Sequence, residues 1–201
     1  MNLIKEIKKI IPYNEQEEND KRLILNYLNI FKDDILTRNN ELCHFTVSNW
    51  ITNKSHNKIL MIYHNIYNSW AWTGGHADGD SNLLRVAKKE AYEETGIKNL
   101  TLLTPDIASI EILTVNPHIK RGRYVSSHLH LNCTYIFEAD EKDLIRIKED
   151  ENSNVGWIDI SKINDVVNEE HMKPIYEKLN KKLLNIKELL FLTNLLFPTK
   201  Y

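Results

Sequence analysis

The chain has 201 residues, 42% hydrophobic and 27% charged, which is room for one core-forming domain with extra helices and an ordinary composition for a soluble fold. Its 26 Lys and Arg against 28 Asp and Glu leave a net charge of -2, which excludes bulk electrostatic attraction to nucleic-acid polymers or anionic membranes. The two cysteines, Cys43 and Cys133, stand far apart and in no metal-ligand spacing, so neither a zinc site built on them nor a disulfide framework is expected, and a cytoplasmic setting fits.

Leu3, Ile7, Ile10 and Ile11 recur at helical spacing until Pro12, and predict a first helix. Lys5, Glu6, Lys8 and Lys9 interrupt these apolar residues, so the segment does not read as a secretory leader. A second helix is expected from about Glu15, carrying Leu23, Leu25, Leu28 and Phe31. After Asn40 the pattern changes, and strands are expected over 43–52 and 58–64. The second holds Ile59-Leu60-Met61-Ile62, a continuous apolar run that suits a strand covered on both faces. Trp70 and Trp72 read as packing residues ahead of a Gly- and Asp-rich loop, Thr73 to Asp80. A helix follows over 82–95, with Asp80 or Ser81 to cap it and Gly96 to stop it.

Further strands are expected over 107–115, 128–139 and 155–158. In 128–139, His128, His130, Asn132 and Thr134 share one face, and Leu129, Leu131, Cys133 and Tyr135 the other. From His171 onward, Ile175, Leu179, Leu183, Ile186 and Leu190 mark a long amphipathic helix. Asn185, Lys187, Glu188 and Asn194 break its apolar stretch, so it cannot span a membrane. Helices, then strands around one helix, then helices imply a sheet sandwiched between helices. The expected organisation is a helical extension over 1–40, the main domain over 41–160, and a helical segment over 161–201 packed on that domain.

Glu90, Glu93 and Glu94 fall at i, i+3 and i+4 of the central helix, so they share a face. Like charges at this spacing destabilise a helix by roughly a few tenths of a kcal/mol per pair, and a cation offsets that repulsion. Carboxylates select hard, oxygen-seeking ions such as Mg2+. Val86, Ala87 and Ala91 offer small apolar contacts on the same helix. The glycines before it let the backbone turn tightly and leave carbonyls available as ligands.

This segment resembles the Nudix box, G-x5-E-x7-R-E-U-x-E-E-x-G-U, with U a bulky aliphatic residue. Aligned on Gly75, the chain supplies Glu90, Glu93, Glu94, Gly96 and Ile97 in register, and departs at Ser81 for the first glutamate, Lys89 for the arginine and Ala91 for the aliphatic residue. The resemblance covers about a tenth of the chain in the box itself and extends through the strands around it to roughly 40–159. It implies an α/β fold, the Nudix α/β/α sandwich with a mixed sheet, here with extra N- and C-terminal helices. It also implies a MutT-like hydrolase that cleaves a phosphoanhydride bond in a nucleoside diphosphate linked to another moiety, with Mg2+, or Mn2+ as the alternative ion.

By that resemblance Glu90 and Glu94 are the principal metal ligands, with Glu93 beside them and the Gly75 carbonyl as an added ligand. Glu93, Glu94 and Glu151 are the candidate catalytic carboxylates, Glu151 by its place in the loop before a late strand; Glu111 is a second choice. Lysine in place of the box arginine keeps the charge and loses the planar fork, and Lys89 is expected to pair with Asp78 or Asp80. Lys120, Arg121 and Arg123 form a basic loop suited to a substrate phosphate, and His128 and His130 are candidate substrate contacts. The expected partner is a nucleoside-diphosphate-type small molecule, and a homodimer is compatible with the resemblance. Two alternatives compete: a catalytically weak or inactive Nudix-fold module that binds or senses a nucleotide, and an isopentenyl-diphosphate isomerase, whose cysteine motif neither Cys43 nor Cys133 resembles.

Overall fold

The helices and strands alternate much as the hydrophobic pattern dictates, and they gather into two compact units. In this computed structural model residues 2–120 and 122–196 are described. The first unit comprises 1–49, 74–91 and 104–135, the second 50–73, 92–103 and 136–201.

In the first unit, α1 (Asn2–Lys9) and α2 (Glu15–Phe31) precede a short 3-10 turn, Lys32–Leu36. Asn14 caps α2 by accepting from the Glu17 N–H at 3.0 Å, and the Glu17 carboxylate accepts from the Tyr13 N–H at 2.7 Å. This reciprocal arrangement satisfies donors that a helix start leaves open. Leu3, Ile7, Ile10, Ile24 and Leu28 are buried. Ile11, expected on the first helical stripe, lies beyond its end and is 88% exposed. Along α2 the buried stripe is Ile24 and Leu28, four residues apart, so Leu23, Leu25 and Phe31 sit at its half-buried margins.

The strands of this unit are β1 (Cys43–Asn53, through Asn49), β4 (Thr73–His76, from Gly74), β6 (Ser109–Val115), β7 (His118–Lys120), β8 (Arg123–Val125) and β9 (His128–Ala139, through Tyr135). β6 pairs antiparallel with β9, placing Ser109 opposite Thr134, Glu111 opposite Asn132 and Val115 opposite His128. β1 neighbours β9, and β4 pairs with β1. β7 and β8 form an antiparallel hairpin with Lys120 opposite Arg123. Two segments expected as loops are therefore strands in part: 73–76 and the flanks of the basic turn. Neither has the apolar alternation that marks a strand in sequence; backbone pairing alone holds them.

In the second unit, β2 (Lys58–His64) pairs antiparallel with Ile51 and Thr52 at the end of β1, with β10 (Asn152–Asp159) and with β3 (Ser69–Ala71). Ile59, Leu60, Met61 and Ile62 are all buried, as a strand covered on both faces requires. β5 (Thr101–Leu102) pairs with the end of β9. After the single turn α4 (Ile163–Val166), helix α5 (Lys173–Leu196) buries Tyr176, Leu179 and Leu183. Tyr176 stacks on Trp50 at 5.0 Å and meets Trp72 edge-on at 5.4 Å, while Trp70 meets Tyr63 edge-on at 5.8 Å. Both expected tryptophans thus pack as core and surface-strand residues. The side chain of Leu190 lies outside the described residues. Among the described residues no helix is long and apolar enough to cross a membrane.

Candidate active site

Helix α3 (Leu83–Thr95) carries the three box glutamates and is covalently continuous from the first unit into the second. Its start is built by the preceding turn. Asp78 (φ 46°) and Gly79 (φ 90°) take left-handed backbone, which aspartate tolerates better than most residues and glycine takes freely. The Gly79 N–H donates to the Leu36 carbonyl at 2.9 Å, and the Ala77 N–H to the Phe45 carbonyl at 3.0 Å. The side-chain cap is Asn82, accepting from the Arg85 N–H at 3.0 Å, rather than Asp80 or Ser81. Asp80 instead accepts from the Asn82 N–H at 2.8 Å and takes the Arg85 guanidinium on both oxygens at 2.8 Å. That guanidinium, and then the Asn82 N–H, hold the Asp80 carboxyl below its ordinary value.

Both loop aspartates are therefore taken by arginines, since Asp78 is held by Arg38 at 2.8 and 2.7 Å. Lys89 lies 3.3 Å from Glu90 Oε1 instead of pairing with either, because its helical position places it beside that carboxylate. Ser81 is exposed on the turn. The helix is fixed to β1 by Asn49, whose amide donates to the Ala87 carbonyl at 3.0 Å, and its small residues Val86, Ala87 and Ala91 are buried.

The two glycines do different work. A Cβ on Gly74 would collide with the Val47 carbonyl oxygen and stand 3.1 Å from Ser48 Cα, so glycine is what lets β4 lie against β1. A Cβ on Gly75 would stand 2.7 Å from both Cγ and Oε2 of Glu90. The Glu90 side chain, 13% exposed, thus lies directly over the Gly75 backbone. Carboxylate and peptide oxygens are hard donors, and a carboxylate seated on a glycine backbone fits a hard divalent cation such as Mg2+.

In the second unit Glu94 is 3% exposed and Glu93 half-buried. The Asn152 amide, itself fully buried, donates to the Glu94 carbonyl at 3.1 Å. The turn preceding β10 is thereby tied to the end of α3, and Glu151 is the residue immediately before Asn152. Glu151 pairs with Lys148 at 2.9 Å and keeps 42% of its side chain exposed. A cavity of about 460 Å³ in this unit is lined by His56, Asn57, Ile160, Leu183, Leu184 and Lys187, none of them a candidate site residue in the sequence.

The first unit also holds a buried polar stripe. Ser109 Oγ stands 2.6 Å from Glu17 Oε1 and 2.5 Å from Glu111 Oε1. Asn132 donates to Glu111 at 3.1 Å, and its carbonyl accepts from Thr46 at 3.1 Å and Ser48 at 2.9 Å. Glu111 is therefore a member of a hydrogen-bonded layer, 1% exposed. The stripe continues along the same strand faces into four imidazoles. His44 rings lie 4.9 to 5.2 Å from those of His76, His128 and His130, and His128 lies 5.1 Å from His130. Burial, with His128 and Arg38 adding to it, holds His44 below the ordinary imidazole value.

The structure thus gathers the expected residues into separate groups. Gly75 and Glu90 meet; Glu94 and the Glu151 turn are joined through Asn152; His128 and His130 stand with His44 and His76. Arg123 is exposed on its hairpin, and Arg121 lies outside the described residues. His44 and His76 went unread in sequence. The available signal was the alternation His44-Thr46-Ser48, which matches the polar face of β9. Cys43 and Cys133 are both buried. Burial pushes the Cys43 thiol up to about 11 and raises Cys133 as well, the opposite of an activated thiolate.

Comparison with known proteins converges on one family. The NUDIX domain model matches residues 43–179. No curated protein matches the chain. Among solved structures, a Caenorhabditis elegans Ap4A hydrolase in a binary complex is similar at 17% identity and a TM-score of 0.54, over 70% of this chain and 98% of that one. The Mycobacterium smegmatis Nudix hydrolase RenU is similar at 14% identity and a TM-score of 0.54, over 71% and 87%. The NUDIX domain of Shewanella oneidensis NrtR, complexed with ADP ribose, is similar at 15% identity and a TM-score of 0.51, over 79% and 97%. These likenesses show the fold, α/β with a central mixed sheet and helices. With the family model spanning β1 to the start of α5, the chain is a member of the Nudix hydrolase family.

Proposed function

We propose that the chain is a Mg2+-dependent hydrolase that cleaves the phosphoanhydride bond of a nucleoside-diphosphate-linked small molecule by water attack on phosphorus. The observation that carries this reading is the seat of Glu90 on the Gly75 backbone, in the register of the family box. Glu90 and Glu94, with Glu93 and the Gly75 carbonyl, are the residues that would hold the ion. Bound there, Mg2+ supplies charge neutralisation for the diphosphate oxygens and a lowered pKa for the attacking water. Glu151 accepts the water proton; its exposure and its tether through Asn152 suit a base that meets incoming substrate. Lys89, 3.3 Å from Glu90, keeps that carboxylate oriented in place of the box arginine. Arg123, on its hairpin, and Arg121, two residues before it in sequence, meet the substrate phosphates.

A second reading, a binding or sensing module without turnover, is favoured by Ser81 and Lys89 where the box has glutamate and arginine. One experiment separates the two. Phosphorus NMR follows dinucleoside polyphosphates, ADP-ribose, nucleoside-diphosphate sugars and nucleoside triphosphates with the protein and Mg2+. The proposal expects new phosphate resonances from at least one class, abolished by removing Mg2+. Binding-induced shifts without new products in every class would establish the second reading instead.

A further inference from the structure

Four imidazoles converge in the first unit from three strands, His44 on β1, His76 on β4, and His128 and His130 on β9. The ligand nitrogens of His44, His76 and His130 all lie within 4.8 Å of one another. His44 is the most constrained. It is 4% exposed, and its Nδ1 stands 3.0 Å from the Asn40 carbonyl oxygen, where Nδ1–H donates. That carbonyl is itself fixed, because the Asn40 side chain accepts from the Cys43 N–H at 3.1 Å and the Leu42 N–H at 3.2 Å. With the proton on Nδ1, the Nε2 of a neutral ring carries a bare lone pair. This atom is buried with no hydrogen-bond partner among the described residues. His128 repeats the device: its Nδ1 stands 2.8 Å from the Ser126 carbonyl, and its Nε2 is turned to His130 Nε2 at 3.3 Å.

A ring nitrogen locked to a backbone carbonyl, with the other nitrogen bare, is the arrangement that orients histidine as a metal ligand. An anion is the wrong occupant, since a buried lone pair repels phosphate oxygens. A hard ion is wrong too, since imidazole sets suit zinc, copper, nickel or cobalt, whereas Mg2+ takes oxygen. Nitrogens at the 2.0–2.1 Å bond length of tetrahedral zinc stand about 3.4 Å apart, a closing of at most about 1.4 Å from the 4.8 Å limit that side-chain rotations supply. We propose that His44, His76 and His130 form a transition-metal site for Zn2+, distinct in residues and ligand chemistry from the α3 carboxylates. Three nitrogen ligands leave a fourth position open, on which His128 borders. The site does not depend on the hydrolase reading.

The test is Zn2+ titration by calorimetry into chelator-stripped full-length protein, with millimolar Mg2+ present throughout, repeated with Co2+ for its visible absorption. The expected result is one Zn2+ per chain, displacing a nitrogen-ligated Co2+ spectrum. His76→Gln and His130→Gln, both half-buried positions, should each weaken Zn2+ binding by at least about 100-fold, whereas Glu94→Gln should keep it. A measurement without variants guards against misfolding: acylation of wild-type histidines by diethyl pyrocarbonate, read by mass spectrometry. Zn2+ should protect His76 and His130 while leaving the exposed His171 reactive. Absence of stoichiometric Zn2+ binding, binding that persists in both histidine variants, or unchanged acylation of His76 and His130 would overturn the proposal.

Discussion

Helix α3 and the imidazole cluster are two sets of metal-type ligands assembled by opposite means. On α3, helical spacing alone brings Glu90, Glu93 and Glu94 to one face, within five residues of chain. The imidazoles come from three strands, and sheet pairing, with the pinning of His44 by Asn40 and of His128 by Ser126, brings them together. One set offers hard oxygens and the other borderline nitrogens, chemistries that suit different ions. They touch in sequence at Gly74-Gly75-His76, where one residue seats Glu90 and the next points an imidazole into the cluster. A short segment can thus serve a local device and a non-local one, each held by different forces.

The largest effect is expected on the carboxylate side. Glu90→Gln removes a charge with nearly unchanged shape, and turnover should fall on the order of 10²-fold or more, with partial rescue by excess Mg2+. Steady-state rates against Mg2+ concentration check this. The glycines sharpen the contrast further. Gly74→Ala meets the Val47 backbone, and should cost about 1–3 kcal/mol of stability in a denaturant melt. The atoms nearest a Gly75→Ala methyl all belong to the movable Glu90 side chain, so the melt should stay near wild type while turnover falls roughly tenfold as Glu90 is displaced. Equal melting losses for both would remove the distinction.

Lys89→Met should reduce kcat/KM by about 10-fold, as loss of a partner that orients a ligand does, and Lys89→Arg should retain activity. The smallest effect concerns the loop before α3. Arg85 depresses the Asp80 carboxyl below its ordinary value of 3.8. A depressed carboxylate contributes stability above that value and loses it as pH falls through the lower folded value. The melting difference between wild type and Arg85→Met should therefore be constant near neutrality and shrink below about pH 4. A pH series of melts measures it, and the difference should be small because both groups are largely solvent-screened.

The contrast between the two sets also explains what the sequence discloses. The boundaries of β2 and β9 match their expected spans of 58–64 and 128–139, and α3 begins one residue later than expected, because apolar runs, polar alternation and caps are local signals. The α3 glutamates are legible for the same reason. His44 and His76 are not, since nothing local announces that β1 and β4 will present them to β9. Asp78 and Asp80 take partners other than the expected Lys89 for a related reason: Arg38 lies 40 residues before Asp78, and Arg85 reaches Asp80 from nearer in the turn. Segments 73–76, 118–120 and 123–125 are strands through pairing, which composition does not encode.

The proposed function stands on the α3 carboxylates holding an ion for phosphoanhydride hydrolysis. Its most direct test is turnover of the substrate found by phosphorus NMR, measured beside a thermal melt, for wild type and Glu94→Gln. Glu94→Gln should melt close to wild type and hydrolyse more slowly by orders of magnitude, because the lost charge acts in the transition state. Wild-type turnover with an unchanged melt would contradict it.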